Sequence, residues 1–150
     1  MNTAASALQN YSLTMNRNLN ASKQSVYNAW TQQEALTSWF APSSEMTTTV
    51  HELDLKVGGH YRIEMLEPDG TSHVMHGEYI ALNPHSQLIF TWEWENDKLN
   101  VNSLVTIDLT EQDGSTQMVL THEKFESQDL ADLHTEGWTG CLAQLEKFFS

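Results

Sequence analysis

Apolar residues recur at steps of three and four from Asp129 to Phe149. This spacing places them on one face of an α-helix of roughly five turns. Asp129 is the expected N-cap, and Lys147 in the last turn agrees with the helix dipole. A one-sided helix of this length must cover another layer of the structure. Its apolar face comprises Leu130, Leu133, His134, Gly137, Trp138, Cys141, Leu142, Leu145, Phe148 and Phe149.

Three small residues in this stretch carry separate expectations. Gly137 and Gly140 each cost a helix roughly 1 kcal/mol relative to alanine. Because Gly137 lies on the apolar face beside Trp138, we expect another backbone or a bound molecule to approach the helix there. Cys141 is the sole cysteine and also lies on that face, which favours a buried residue in a reducing compartment over a reactive thiol.

Composition and charge exclude several classes of partner. The 150 residues, 39% of them hydrophobic, suffice for one domain spanning 1–150. The formal charge of -13 repels phosphate backbones and anionic lipid surfaces, so we predict no nucleic-acid partner. Since no apolar run approaches the roughly 20 residues of a membrane span and no signal-peptide pattern opens the chain, we predict no membrane association and a cytoplasmic location.

The first part of the chain predicts one strand followed by two short helices. Residues 1–8 are small and polar and are expected to form a loose arm. Apolar and polar residues alternate over 11–17, which is typical of a strand with one buried face. Ser22 is the expected cap of the first helix, and a second helix from Gln32 to Phe40 ends before Pro42.

From Thr47 onward, alternating segments separated by turn residues predict an antiparallel meander. The predicted strands are Thr47–Leu55, Tyr61–Met65, His73–Leu82, Leu88–Trp94, Leu104–Leu109 and Thr116–His122, with a polar turn at Asn96–Asn100. The sequence therefore predicts an α+β fold, with a curved antiparallel sheet of about six or seven strands around the long C-terminal helix. The gap between sheet and helix is the expected ligand site, with the two short helices at its mouth.

Several short segments are distinctive when taken together in their order and spacing. They are Arg17 to Trp30, Trp39-Phe40-Ala41-Pro42, Val57-Gly58-Gly59-His60-Tyr61, Pro68-Asp69-Gly70, Gly77-Glu78-Tyr79, Leu88-Ile89-Phe90-Thr91-Trp92, and Gly137-Trp138 followed by Leu142, Leu145 and Phe148. Over nearly the whole chain this arrangement resembles the AHSA1-like family (Hsp90 ATPase activator homologues) of the START/Bet v 1-like (SRPBCC) superfamily. The resemblance implies a helix-grip fold.

The resemblance implies three classes of function. Our preferred hypothesis is a protein that holds a small apolar or amphipathic molecule, such as a lipid or an aromatic or polyketide-like compound, between sheet and helix. The first alternative is a co-chaperone-type domain, related to Hsp90 and the stress response. The 150 residues leave no room for the separate N-terminal domain of the eukaryotic activators, which argues against ATPase stimulation. The second alternative is a cyclase or hydrolase using the same cavity.

Catalytic and metal-binding motifs do little to decide among these three classes of function. His73 and His76 lie three apart on a predicted strand and point to opposite faces, and no zinc-type spacing occurs, so we expect neither metal nor cofactor. His76, Tyr79 and His134 are the candidates for acid–base chemistry, although strand parity does not decide which of the first two points inward. For His134 we favour a helix-edge histidine with its ring partly in water. These residues favour a non-enzymatic function over an enzymatic one.

Large aromatic side chains are the strongest indication of a ligand site. If Phe90, Trp92 and Trp94 face inward, they converge with other bulky residues on the space beneath the terminal helix. Filling of the core is the competing explanation for each of them, and the methionines can adapt to varied guests. The candidate ligand-binding residues are Trp39, Phe40, Tyr61, Met65, Phe90, Trp92, Trp94, His134, Trp138 and Cys141.

Overall fold

The computed structural model describes residues 11–95 and 102–150. The predicted arm at 1–8 and the predicted polar turn at Asn96–Asn100 lie outside these residues. The helices and strands are β1 Tyr11–Leu19, α1 Lys23–Thr31, α2 Gln33–Trp39, β2 Thr47–Leu53, β3 His60–Leu66, β4 Ser72–Asn83, β5 Gln87–Trp94, β6 Ser103–Gln112, β7 Ser115–Phe125 and α3 Gln128–Phe148.

The strands form one antiparallel sheet in the order β1-β7-β6-β5-β4-β3-β2. Successive strands from β2 to β7 are neighbours, and β1 closes the order beside β7. The long helix α3 and the two short helices after β1 complete the predicted α+β architecture. The predicted fold class is confirmed.

The period-two pattern of β5 shows why the sequence adopts this sheet. Leu88, Phe90 and Trp92 are buried, while Ile89 and Thr91 between them are partly exposed. Alternation of this kind gives a strand one face toward the core and one toward water. The bulky aromatics of β5 therefore point at the layer that covers the sheet, as predicted.

Helix α3 begins slightly earlier than predicted. The side chain of Ser127, not Asp129, caps its N-terminus by accepting a hydrogen bond of 3.2 Å from the backbone N–H of Leu130. Asp129 lies in the first turn, where its negative charge still agrees with the helix dipole, and Lys147 lies in the last turn. The buried residues of α3 are Ala131, His134, Trp138, Cys141, Leu142 and Leu145.

The close backbone approach expected at Gly137 occurs at Gly140 instead. A Cβ atom built on Gly140 would lie 2.1 Å from the carbonyl oxygen of Pro42, so only glycine fits. A Cβ atom on Gly137 would meet no atom of the described residues within 4 Å. The expectation of a neighbouring backbone at Gly137 is wrong because the α2–β2 connection crosses α3 at Gly140, nearly one turn further along the helix.

The short helices pack aromatic side chains into part of the gap beneath the sheet. Trp39 donates a hydrogen bond of 2.8 Å from Nε1 to the carbonyl of Ala29, which joins α1 to α2. Trp30 meets Trp39 edge-on at 4.9 Å between ring centroids, and Phe40 lies 5.2 Å from Trp39. Beside these rings only about 20 Å³ of space remains, roughly enough for one water molecule. This end of the gap is a packed core.

Candidate functional site

A cavity of about 430 Å³ lies between strands β3–β5 and helix α3. It begins where the packing of the short helices ends, and Pro42 and Met46 from the α2–β2 connection form part of its wall. Among the described residues, the lining consists of Pro42, Met46, Met65, Glu67, His73, Trp92, Trp94, Leu133, His134, Glu136, Gly137, Trp138 and Cys141.

The cavity changes character with depth. Its inner wall is formed by side chains that are at least 94% buried, among them Met65, Trp92 and Trp138. Its mouth is formed by accessible groups, including Leu133, which is 48% exposed, and the exposed Glu136. The site therefore has an apolar interior and a polar entrance, which is the arrangement typical of small-molecule pockets.

Three indole rings form the aromatic walls. The centroids of Trp92 and Trp94 lie 5.5 Å apart with their planes at 85°, and those of Trp92 and Trp138 lie 5.0 Å apart at 48°. Contacts of this geometry are favourable for aromatic pairs. Because the two strand tryptophans are nearly perpendicular, a guest in the cavity can meet both a ring face and a ring edge.

A buried chain of hydrogen bonds holds Trp138 in place. Trp138 Nε1–H donates to His122 Nδ1 at 3.0 Å, His122 Nε2 lies 2.7 Å from Ser103 Oγ, and Ser103 donates to the carbonyl of Trp92 at 3.0 Å. Since an indole N–H can only donate, His122 Nδ1 must accept, and Nε2–H must donate to Ser103. Burial, reinforced by the nearby His134, holds the pKa of His122 well below its usual value of 6.5. His122 is therefore a neutral structural residue.

His134 is engaged in the same way at the cavity wall. Trp94 Nε1–H donates to His134 Nε2 at 2.9 Å, and His134 Nδ1 lies 2.8 Å from the carbonyl of Leu130, one turn earlier in the helix. These partners require the proton on Nδ1 and a neutral ring. The expectation that this ring lies partly in water is wrong, because His134 is 6% exposed and its ring packs between Trp94 and Phe125.

Trp92 carries the one buried side-chain nitrogen or oxygen without a hydrogen-bond partner in the described part of the chain. Its ring is 4% exposed and lines the cavity, yet Nε1 has no acceptor among residues 11–95 and 102–150. Leaving such a donor buried and unpaired costs about 1–3 kcal/mol. An acceptor atom in the cavity would remove that cost.

The ionisable groups at the mouth are predominantly acidic. Glu67 Oε2 lies 2.6 Å from His73 Nε2, and both side chains are partly exposed. Glu136 adds a second carboxylate from α3, and among residues 11–95 and 102–150 no lysine or arginine belongs to the lining. In the sequence, His73 was noted only as a possible metal ligand. It lies two residues from the buried Met75 on β4, and this spacing could have placed it on the inner face.

The structure brings six of the predicted ligand-binding residues together at this cavity, namely Met65, Trp92, Trp94, His134, Trp138 and Cys141. The other four, Trp39, Phe40, Tyr61 and Phe90, are buried in the packed core. Tyr61 is held in the core, because its ring lies against Gly77 and its hydroxyl donates a hydrogen bond to the carbonyl of Thr91. Desolvation also holds the pKa of Tyr61 well above its usual value of 10.

The three candidates for acid–base chemistry do not converge. His76 lies on the outer face of β4, where its Nε2 is 3.5 Å from Glu93. Tyr79 lies in the packed core, and burial raises its pKa. His134 alone lines the cavity, beside Cys141, whose pKa burial raises to about 12. Within the described ranges, no group of three His, Cys, Asp or Glu residues is placed to hold a metal ion.

Comparison with family models provides the deciding observation. The model described as "Activator of Hsp90 ATPase homolog 1-like protein" (AHSA1) matches residues 20–150. The chain belongs to the AHSA1 family. The match runs from the end of β1 to the C-terminus and so includes every residue that lines the cavity. No curated protein sequence matches this AHSA1 member significantly.

Several solved structures have the same fold as this AHSA1 member. A protein from Chromobacterium violaceum is 26% identical with a TM-score of 0.85, and the alignment covers 92% of this chain and 96% of that one. A protein from Rhizobium leguminosarum is 27% identical with a TM-score of 0.75, covering 93% and 94%. An AHSA1 protein from Silicibacter pomeroyi is 20% identical with a TM-score of 0.78, covering 91% and 96%, which shows the fold alone.

None of the described helices of this AHSA1 member is long and apolar enough to cross a membrane.

Proposed function

We propose that this AHSA1-family protein binds a small apolar or amphipathic molecule in the cavity between β3–β5 and α3. The volume of about 430 Å³ falls within the range of small-molecule sites, which is about 300–1,000 Å³. Two methionines, three tryptophans and Cys141 contribute to the lining. Such a surface gains free energy when a guest removes it from water.

The observation that carries this proposal is the unpaired Nε1 of Trp92 beside an open, largely apolar space. The nitrogens of the four other tryptophans all have hydrogen-bond partners: Trp30 donates to Met118, Trp39 to Ala29, Trp94 to His134 and Trp138 to His122. The exception occurs where the packing leaves room for another molecule. A ligand oxygen or nitrogen, or a water that accompanies the ligand, would supply the missing acceptor.

The chemistry of the lining supports binding more than catalysis. A thiol with a pKa of about 12 is almost wholly protonated at neutral pH and is a poor nucleophile. Both ring nitrogens of His134 are already in hydrogen bonds with Trp94 and Leu130, so its basic lone pair is occupied. The proposed function is therefore that of a carrier or sensor of its ligand, without turnover.

Contact with a chaperone stays an alternative prediction for the function. The cytoplasmic location stays a separate prediction. The family description names an activator of Hsp90, but no contact within the described residues favours a chaperone surface over any other. An empty pull-down at low salt, with the intact chain as bait, would argue against this alternative.

A filled-cavity variant tests the proposal directly. Gly137 lines the cavity and its Cβ position is open, so Gly137→Phe places a ring in the ligand space without a clash at the helix. Thr139→Phe adds the same ring at an exposed position of α3 and serves as the matched control. The measurement is the change in backbone amide shifts near Trp92 and Trp138 on titration with a library of lipids, flavonoids and aromatic polyketides.

We expect at least one compound class to shift these amides in the native protein and in Thr139→Phe. Affinity should fall at least tenfold in Gly137→Phe, because the ring excludes the guest. An absence of shifts across the library, or equal affinity in the two variants, would contradict the proposal.

A further inference from the structure

The distribution of charge around the cavity carries information about its ligand. Four ionisable residues of the lining bear on the charge at neutral pH, and two of them are carboxylates, Glu67 and Glu136. His73 pairs with Glu67 and can offset at most one negative charge, while the hydrogen bonds of His134 require a neutral ring. The described residues of the mouth therefore carry a net negative charge whether or not His73 is protonated.

We infer that the ligand is an amphipathic organic cation, an amine or quaternary ammonium group on an apolar body. Because an ammonium group accepts no hydrogen bond, a water that accompanies the guest is the acceptor for Trp92 Nε1. This inference rests on the proposed function and adds the chemical class of the guest. A volume of about 430 Å³ equals that of about 14 water molecules at roughly 30 Å³ each in the liquid, so the guest is a small molecule.

The aromatic walls favour a positive charge as well as an apolar body. Ammonium groups are attracted to the faces of indole rings, and cages of aromatic side chains are a common means of binding them. Trp92 and Trp94 form two nearly perpendicular walls, and Trp138 a third. Trp94 lies 6.5 Å, between ring centroids, from His73, the partner of Glu67. A guest whose ammonium group stays at the mouth, near Trp94 and the two glutamates, places its apolar body against Trp92 and Trp138 of the inner wall.

The charges of the lining and of the whole protein disfavour an anionic ligand. In the part of the chain that the structure describes, the lining offers no lysine or arginine to pair with a carboxylate or phosphate, and the two glutamates repel such a group. The formal charge of -13 extends this bias over the whole protein, because a strongly acidic protein attracts cations toward its surface. A fatty acid or a phosphorylated ligand is therefore disfavoured at both the mouth and the approach.

A series of probes with one apolar body and different charges tests the inference. The compounds are 4-phenylbutylamine, (4-phenylbutyl)trimethylammonium, 4-phenylbutanol and 4-phenylbutyrate. Affinity is measured by calorimetry and by the amide shifts of residues near Trp92, in low and in high salt. We expect the two cations to bind at least tenfold more tightly than the alcohol, and the carboxylate to bind most weakly. High salt should reduce the advantage of the cations.

Charge-removal variants connect this preference to the mouth. Glu136→Gln and Glu67→Gln should each weaken binding of the amine about threefold or more, and should weaken binding of the alcohol less than that of the amine. Asp132→Asn removes a charge from an exposed position of α3 outside the lining, so it should leave both ligands unaffected. Unchanged binding of the amine in both glutamine variants, or an equal loss of amine and alcohol binding, would overturn the inference about charge.

The outcomes separate the two proposals. If the alcohol or the carboxylate binds as tightly as the amine, the inference about charge is wrong, while the cavity still binds a ligand. If no probe binds and the wider library also fails to shift the amides near Trp92, the proposed function itself is overturned.

Discussion

Trp138 of helix α3 and His122 of strand β7 are joined by a hydrogen bond of 3.0 Å between Trp138 Nε1 and His122 Nδ1. The histidine is completely buried and the tryptophan is 2% exposed, so water does not compete for this bond. A directional bond in an apolar layer fixes the rotation of α3 about its axis more narrowly than apolar packing does. It thereby determines which residues of α3 line the cavity.

Removing His122 should destabilise the protein by about 2–4 kcal/mol. His122→Leu leaves Trp138 Nε1–H unpaired, and a buried unpaired donor costs about 1–3 kcal/mol. It also removes the hydrogen bond that Ser103 Oγ accepts, worth about 1 kcal/mol, while Ser103 keeps its bond to the Trp92 carbonyl. The measurement is urea denaturation of the native protein, His122→Leu, Trp138→Phe and the double variant. Because the two residues are directly bonded, the double variant should lose less stability than the sum of the single variants. Additive losses would contradict the hydrogen bond.

Burial of neutral His122 should make stability depend on pH in a defined window. Its pKa is well below 6.5 in the folded protein, mainly by desolvation and secondarily by His134, whereas in the unfolded chain it is near 6.5. Below pH 6.5 the unfolded state therefore binds a proton that the native state does not. The free energy of unfolding should fall as pH decreases, by up to about 1.4 kcal/mol per pH unit, until the folded pKa is reached.

The measurement is denaturant unfolding between about pH 5 and pH 7.5. Carboxylates with lowered pKa values change stability only at lower pH. The pKa of Glu95, for example, is held below its ordinary value of 4.5 by a hydrogen bond from Arg62. His122→Gln should flatten the slope, and the exposed His60→Gln should leave it unchanged. An identical slope in His122→Gln would contradict the assignment to His122.

The two glycines of α3 should respond oppositely to alanine. Both substitutions gain about 1 kcal/mol of helix propensity. Gly137→Ala encounters open space and should keep that gain, whereas Gly140→Ala places Cβ 2.1 Å from the Pro42 carbonyl and must displace the α2–β2 connection. Thermal unfolding of the two variants gives the comparison, since each is the control for the other. Equal stabilisation of both variants would show that the chain at Pro42 moves freely.

The fold was largely predictable because it depends on periodicity. The change from period two to period 3.6 identifies the strands and helices, and the alternation around Phe90 and Trp92 identifies the inner face of β5. The cap of α3 was predicted two residues too late, because both Ser127 and Asp129 are good N-cap types and only the backbone conformation distinguishes them.

The candidate site was predictable only in part. Phe90 and Trp92 share a strand face, yet Phe90 fills the core beneath the short helices while Trp92 lines the cavity. Parity assigns a side chain to a face but not to a position along the gap, which depends on where α1, α2 and α3 end. His122 was missed for a related reason: the sequence shows an isolated histidine on a strand, and its two partners come from β6 and α3.

Cys141 should be nearly inert toward thiol reagents although it lines the cavity. With a pKa of about 12, roughly one thiol in 10,000 is ionised at pH 8, compared with about a quarter at the ordinary pKa of about 8.5. Because the thiolate is the reactive form, iodoacetamide should label the native protein at least about 100-fold more slowly than the chain unfolded in urea. A native rate within tenfold of the unfolded rate would mean that water reaches the inner wall freely, which would argue against an apolar interior for a ligand.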